Sequence, residues 1–377
     1  MVDTKKLTAF SNSGQIVIMR KKLICNDVHA KLNIVYYANS IRPLREHLLG
    51  FIHICNSNTH YNCYIITNQK SYASVSREIG IKSSSNITVV LETNFINQLK
   101  ILLSANIILG SPIGFCKQVL RIILLLNKST IGVKLRAGKV TKPSGFFHKN
   151  KTYITNVLKE YLSHKLFKSY TLVTDFLDKY YCIAAYGSCH EALIIHPSPK
   201  LMHMREAFSH SSKKTKLLFA PTHRARGEHS PIDDFIVSKN TQAELSRCGW
   251  SIAYSCHEHG FISSQLKDAN IEIFTGKWDE IRIVITDYSS IGADFTKATG
   301  CPTIYFLPKD DKFLKDNNLP QFFKLEVDAN IHVSTERELL AALSDLSKNN
   351  LPFQDSVEVV SFEPTLYFEN LIAKVNQ

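Results

Sequence analysis

From residue 33 onward the chain alternates short apolar runs with longer amphipathic stretches. Short runs rich in Ile, Val and Tyr, at 34–37, 64–67, 87–91, 107–109, 131–135 and 170–173, predict strands. The stretches between them predict helices at 43–55, 71–80, 95–104 and 114–126, then a loop over 136–147 and a further helix over 152–167. Strands that alternate with helices of this length predict a parallel sheet covered on both faces. Within residues 1–30, the apolar runs 16–19 and 23–25 suit an edge strand or hairpin. His196-Pro197-Ser198-Pro199-Lys200 interrupts the rhythm, and its two prolines predict a linker. The alternation then restarts, with strands at 217–220, 251–255 and 271–274, a helix within 234–248, and helices at 339–346 and 364–375. The expected fold class is α/β: two doubly wound, Rossmann-like domains, 1–198 and 199–377, with a cleft where the carboxyl ends of the two sheets meet.

Residues 281–308, IRIVITDYSSIGADFTKATGCPTIYFLP, carry the strongest chemical signal. Ile283, Val284 and Ile285 predict a strand buried on both faces, and Thr286 to Ser290 a polar turn. A helix is predicted over 291–298, closed by Gly300 and kept from continuing by Pro302. A second strand follows over 303–307. This order puts Ser289 and Ser290 at a helix N-terminus, beyond the carboxyl end of a parallel strand. Free backbone N–H groups, the positive end of the helix dipole and two hydroxyls converge there, which suits an anion, most often a phosphate. A plain N-cap role for either serine is the competing reading, and for the tetrapeptide alone it is the stronger one.

Composition narrows the class of protein. At 377 residues the chain is too long for one ordinary core. Its 45 Lys and Arg against 33 Asp and Glu leave a formal charge of +12, which favours anionic partners: nucleotides, phosphate-bearing polymers, acidic membrane surfaces or nucleic acid. Nine cysteines, an odd number with no C-x-x-C pair, suit reduced thiols rather than a disulfide framework. The first ten residues, MVDTKKLTAF, lack the apolar core of a secretory signal, and apolar runs such as 122–126 are far shorter than a membrane span. The expectation is a cytoplasmic protein that does not cross a bilayer and can rest on its inner face.

Three more loops are expected to open toward the same cleft. Pro221-Thr222-His223-Arg224 follows a strand, and Arg suits forked contacts with phosphate oxygens; a solvated basic loop is an equally good reading. Cys256-His257-Glu258-His259 follows the next strand, and His257 there can donate to a phosphate or act as an acid. His257 and His259 lack a third ligand at a recognisable spacing, so no metal is expected. Gly276-Lys277-Trp278 is a weaker candidate for the rim. Asp287 belongs to the serine turn. Asp294, four residues after Ser290, is expected on the first helical turn, either favoured there by the dipole or part of the site. No D-x-D pair is present, so Arg, His, hydroxyls and the helix end would neutralise a diphosphate leaving group. No cofactor is expected.

Taken in order, Ala220-Pro221-Thr222-His223-Arg224, the loop with His257, and Ile285-Thr286-Asp287-Tyr288-Ser289-Ser290 with Asp294 resemble the CDP-glycerol glycerophosphotransferase family, makers of teichoic acids and related capsule polymers. The resemblance covers residues 217–316 well and the first half loosely. It implies a GT-B fold with the donor held mainly by the second domain, and donor binding by Thr222, Arg224, His257, Asp287, Ser289, Ser290 and Asp294. It also implies transfer of an alditol phosphate from CDP-glycerol or CDP-ribitol to a hydroxyl of an anionic polymer or its lipid-linked precursor, with release of a nucleoside monophosphate.

On the acceptor side, Gly138, Lys139 and Lys142 fit the family's pattern, but Ala137 stands where its His general base is expected. A methyl group cannot accept a proton, so the chain is expected to be catalytically weak or inert as given. A substituted residue, a base lost or moved to His148, or a different alignment would each account for this. The first is preferred because the surrounding residues keep the pattern. Glu258 replaces a common Pro after His257, and the segment 196–200 lacks an Arg the family often carries. The basic patches Arg20-Lys21-Lys22, 139–142 and Lys213-Lys214-Lys216 would suit an anionic acceptor or leaflet, although scattered solubilising charge explains any one of them better. The alternatives are a GT-B glycosyltransferase using a nucleotide sugar and a non-catalytic homologue that binds an anionic polymer. Nucleic-acid binding is disfavoured, because no RNP aromatic pattern, zinc-finger spacing or arginine-rich stripe is present.

Overall fold

The computed structural model describes residues 31–38, 45–81, 86–110, 130–135, 150–186, 188–209, 215–222, 230–255, 266, 268–269, 271–308, 330–348 and 363–376. Two parallel sheets, each with helices packed against it, make an α/β protein. The first sheet holds β1 (Leu32–Ala38), β2 (Tyr61–Thr67), β3 (Ile87–Leu91), β4 (Ile107–Gly110), β5 (Ile131–Lys134), β6 (Ser169–Val173) and β7 (Leu193–Ile195). Its spatial order is β3-β2-β1-β4-β5-β6-β7, and each neighbouring pair is parallel. The second sheet holds β8 (Lys216–Phe219), β9 (Ser251–Tyr254), β10 (Glu272–Ile273), β11 (Ile281–Thr286), β12 (Thr303–Phe306) and β13 (Ile331–Val333). Its order is β10-β9-β8-β11-β12-β13, so the winding reverses between β8 and β11.

The helices are α1 (Arg45–Asn56), α2 (Gln69–Ile81), α3 (Phe95–Ser104), α4 (Asn150–Phe167), α5 (Phe176–Tyr186), α6 (Pro199–Ser209), α7 (Pro231–Val237), α8 (Lys239–Arg247), α9 (Ser290–Thr299), α10 (Glu336–Lys348) and α11 (Tyr367–Val375). Strand periodicity decides which of them each residue meets. In β1, Ile34, Tyr36 and Ala38 face a core shared with α1, while Val35 and Tyr37 face one shared with α3. In the second sheet, Leu217, Phe219, Ile283, Ile285, Ile304 and Phe306 meet α7, α8 and α10. Leu218 and Val284 point the other way, into a core with α6 and α9. Each such side chain contributes about 1.5–3 kcal/mol by leaving water. That is why the strands read as continuous apolar runs.

Most predicted elements recur within a residue or two, and 87–91 and 95–104 recur without change. Several details differ. The helix expected within 234–248 is two, because Ser238 ends α7 and its hydroxyl caps α8. The segment 196–200 is no open linker. His196 is buried, and Pro199 is the first residue of α6, where its missing N–H costs nothing. α6 then packs between α1 of the first half and α9 of the second.

The final helix does not stay with the second sheet. Tyr367, Phe368 and Leu371 of α11 join the core of the first, so the span 199–377 does not pack as one body. The Tyr367 hydroxyl donates to the Pro197 carbonyl at 2.7 Å, and the ring stacks on His196 at 4.6 Å. Tyr61 donates to the Thr365 carbonyl at 3.0 Å and to Glu369. The expected elements at 16–19, 23–25, 114–126 and 136–147 lie outside the described residues. Among the described residues no helix is long and apolar enough to cross a membrane.

Candidate functional site

The reversal between β8 and β11 is where an open parallel sheet leaves a crevice beyond its strand ends. The loops there are Ala220-Pro221-Thr222 and Asp287-Tyr288-Ser289, and they are fastened to each other. Thr286 Oγ1 donates to the Ala220 carbonyl at 2.6 Å. Asp287 Oδ1 accepts from the backbone N–H of Thr222 at 2.6 Å and from that of Tyr288 at 2.6 Å. Asp287 is buried at 1% exposure, and its carboxylate fastens the two loops together.

Thr222 lies buried in the first of these loops. It is 3% exposed, and its Oγ1 is buried with no hydrogen-bond partner among the described residues. An orphaned hydroxyl there costs about 1–3 kcal/mol, which a ligand oxygen would relieve. Ser289 stands at the N-cap position of α9 with extended backbone, yet makes no side-chain cap hydrogen bond. Its hydroxyl is therefore not spent on the first helical turn, as the plain N-cap reading requires. Ser289 and Ser290 are both half-buried, so the helix end is accessible. Gly300 closes the helix in the left-handed region at φ 73°.

The helix lies very close to its sheet. A Cβ on Gly292 would come within 2.7 Å of Thr303 Cγ2 and 2.9 Å of Thr286 Cγ2. Thr303 Oγ1 donates to the Gly292 carbonyl at 2.9 Å and meets Thr296 Oγ1 at 3.0 Å. These contacts hold the N-terminal end of α9 at a set height above β11 and β12.

Beside it, Tyr254 at the end of β9 donates to Asp233 at 2.9 Å, and Asp233 closes a capping box with Ser230. Burial raises the Asp233 carboxyl above the usual carboxylate range, its hydrogen bonds from Tyr254 and Ser230 oppose this, and the charges of Asp234 and Asp287 add to it. This pair was not singled out from the sequence, although Ser230-Pro231-x-Asp233 is a readable capping signature.

Two expectations are corrected. Asp294 is not on the first turn of α9, which holds no acidic residue; it lies one turn further in, buried at 2%. Its charge is met by Lys200, whose Nζ donates to Oδ2 at 2.9 Å, rather than by the helix end. Trp278 is not at the rim but fully buried against Phe274 and Phe295. Lys216, from one of the basic patches, pairs with Glu272 at 2.7 Å and Glu280 at 2.5 Å. The site thus brings together Thr222, Asp287, Ser289 and Ser290. Arg224, His257, Ala137, Gly138, Lys139 and Lys142 lie outside the described residues. Among the described residues no group of three or more His, Cys, Asp or Glu could hold a metal ion.

The fold is shared with known enzymes at low sequence identity. A variant of the wall teichoic acid polymerase TagF soaked with CDPG matches at TM-score 0.58 and 15% identity, over 96% of this chain and 95% of that one. TagF without substitution matches at TM-score 0.57 and 14% identity over the same shares. A putative UDP-N-acetylglucosamine 2-epimerase from Listeria monocytogenes matches at 0.56 and 10% identity, over 92% and 96% of the two chains. No protein-family model matches the sequence, and neither does any curated protein. At these identities the likeness establishes the GT-B-like architecture.

Proposed function

We propose that this chain is a GT-B phosphotransferase-type protein that binds a CDP-linked alditol phosphate at the N-terminus of α9. The observation that carries the proposal is the pairing of an uncapped helix N-terminus at Ser289 with the orphaned Thr222 hydroxyl, at the reversal point of the second sheet. The sequence resemblance and the fold shared with TagF support the same reading. CDP-glycerol or CDP-ribitol is the donor, and an anionic polymer or its lipid-linked precursor, approached at a membrane surface, is the acceptor. The second sheet, whose strands run from Lys216 to Val333, holds the donor with the helices packed on it. The first, residues 1–198, holds the acceptor through the stretch with Gly138, Lys139 and Lys142.

In the transfer, the acceptor oxygen attacks the alditol-bearing phosphorus. A new P–O bond forms, the bond to CMP breaks, and the hydroxyl proton passes to a base. Thr222, Ser289, Ser290 and the first N–H groups of α9 donate to the diphosphate oxygens. They stabilise the charge that develops on the leaving CMP, with Arg224 and His257 contributing from the adjoining loops. Asp287 keeps the two loops in register. Ala137 at the base position predicts donor binding without efficient turnover.

Binding is therefore the decisive measurement. Calorimetric titration with CDP-glycerol is expected to give saturable binding. Ser289→Ala with Ser290→Ala is expected to weaken it by about 10- to 100-fold, the worth of hydrogen bonds to a charged group. If the chain takes up no CDP-alditol, or if the double variant binds as the parent does, the proposal is wrong. Preferential binding of UDP-sugars would move the assignment to a nucleotide-sugar enzyme.

A further inference from the structure

Lys200 breaks a local rule. It is the second residue of α6, whose first turn holds no acidic residue, so its ammonium sits at the positive end of the helix dipole. It is also buried, at 7% exposure, where an unpaired charge is costly. Two carboxylates from other helices compensate it. Its Nζ donates to Asp294 Oδ2 at 2.9 Å and lies 3.5 Å from Glu46 Oε2. Burial opposes the charge, but Asp294 and Glu46 outweigh it and raise the Lys200 pKa.

The three residues sit on three helices with different attachments. Glu46 is in the first turn of α1, against the first sheet. Asp294 is on α9, one turn (about 5.4 Å) above Ser290. Lys200 is on the helix that joins the two halves. A second pair, His53 Nδ1 to Glu206 Oε2 at 2.7 Å, ties α1 to α6 again. Gly50 lets those two helices touch, since a Cβ there would stand 1.7 Å from the Pro199 carbonyl oxygen. α9 in turn is clamped to its own sheet through Gly292 and Thr303, so a pull on Asp294 is carried to the helix end.

We propose that Lys200 is a positioning residue. Through Glu46 and Asp294 it sets the anion-binding end of α9 relative to the first sheet, so occupancy of that end is coupled to how the two sheets are held. The identity of the anion rests on the function proposed above; the mechanical link does not. With Glu46 neutralised, Lys200 stays with Asp294 and the charge link from α9 to α1 is lost, leaving His53–Glu206 and the packing of α6 on α1 and α9 as the remaining ties.

The test combines hydrogen exchange with titration. Glu46→Gln lies in the other half of the molecule, 26% exposed. It is expected to raise amide exchange at residues 290–293 and to weaken CDP-glycerol binding, each by about fivefold or more, the lower end of ordinary site-to-site coupling. Lys200→Met combined with Asp294→Asn removes both buried charges together, so no ion is stranded. It is expected to keep a cooperative melt and to show the same losses, and Lys200→Arg is expected to retain the parental values. If the double variant does not fold, Glu46→Gln decides alone. Unchanged exchange at 290–293 in Glu46→Gln overturns the positioning role. A parent that ignores CDP-glycerol sinks the proposed function instead, and the exchange measurement still decides the role of Lys200.

Discussion

Gly292→Ala adds one methyl group between α9 and its sheet, and its effect follows from three distances. The new Cβ would lie 2.7 Å from Thr303 Cγ2, 2.9 Å from Thr286 Cγ2 and 3.1 Å from the Tyr305 hydroxyl. Carbon atoms pack at about 3.5–4.0 Å, so the helix must withdraw by roughly 0.5–1 Å or both threonines must turn. Neither threonine turns freely, because Thr303 Oγ1 donates to the Gly292 carbonyl and Thr286 Oγ1 to that of Ala220. Overpacking of this kind costs about 1–3 kcal/mol, and Ala recovers about 0.5–1 kcal/mol over Gly in a helix. The expected net loss is about 0–2.5 kcal/mol.

Ligand binding is affected as well as stability. Withdrawal of α9 shifts Ser289 and Ser290 relative to the loop that carries Thr222, and the loss of one hydrogen bond to a charged ligand group is worth roughly tenfold or more in binding. Urea denaturation and CDP-glycerol titration on the same preparation measure both quantities. Gly80→Ala in α2 is the control, since nothing lies within 4 Å of its Cβ and the substitution is expected to be neutral or stabilising. If Gly292→Ala behaves like Gly80→Ala and binds donor as the parent does, the close seating of α9 is wrong, and with it the reason for a glycine there.

Other perturbations probe other parts of the molecule. Gly50→Ala puts a Cβ 1.7 Å from backbone oxygen of Pro199, which cannot rotate aside; a loss of about 3 kcal/mol or more in denaturant titration is expected. His196 is held neutral by burial, with the Lys374 charge adding and its bond to the Tyr367 carbonyl opposing, and its pKa falls to about 3. Between that value and the unfolded one near 6.5, only the unfolded chain takes up the proton. Stability should therefore be intact above about pH 6.5 and fall with acid by up to ~1.4 kcal/mol per pH unit. His196→Gln should flatten that dependence, and an unaltered slope would assign it to another group. Ala137→His is expected to raise transfer to acceptor by ~10²–10⁴-fold, measured as CMP release; equal rates would remove residue 137 from the reaction.

The placement of the serine turn was readable because it depended on neighbours in the chain. Residues 281–308 specify a strand, a turn, a helix and a left-handed stop because each local preference agrees with the next. Ser289 and Ser290 consequently sit where the pattern puts them. Asp294 was misplaced because its partner is 94 residues away and not the helix end. Trp278 looked like a rim residue because a Gly-Lys-Trp turn carries no sign of which side its indole falls on. The short strands β7 and β13, three residues each, are below the length at which alternation is legible.

Strand and helix identity, the parallel class and the candidate phosphate turn follow from the sequence alone, since short-range periodicity and turn chemistry set them. The tertiary structure decided which half each helix serves, that 196–200 is packed rather than loose, and that Lys200 joins Glu46 to Asp294. The physical reason is that burial and ion pairing depend on residues far apart in the chain. A lysine at a helix start reads as a minor local fault until two carboxylates from other helices are brought against it.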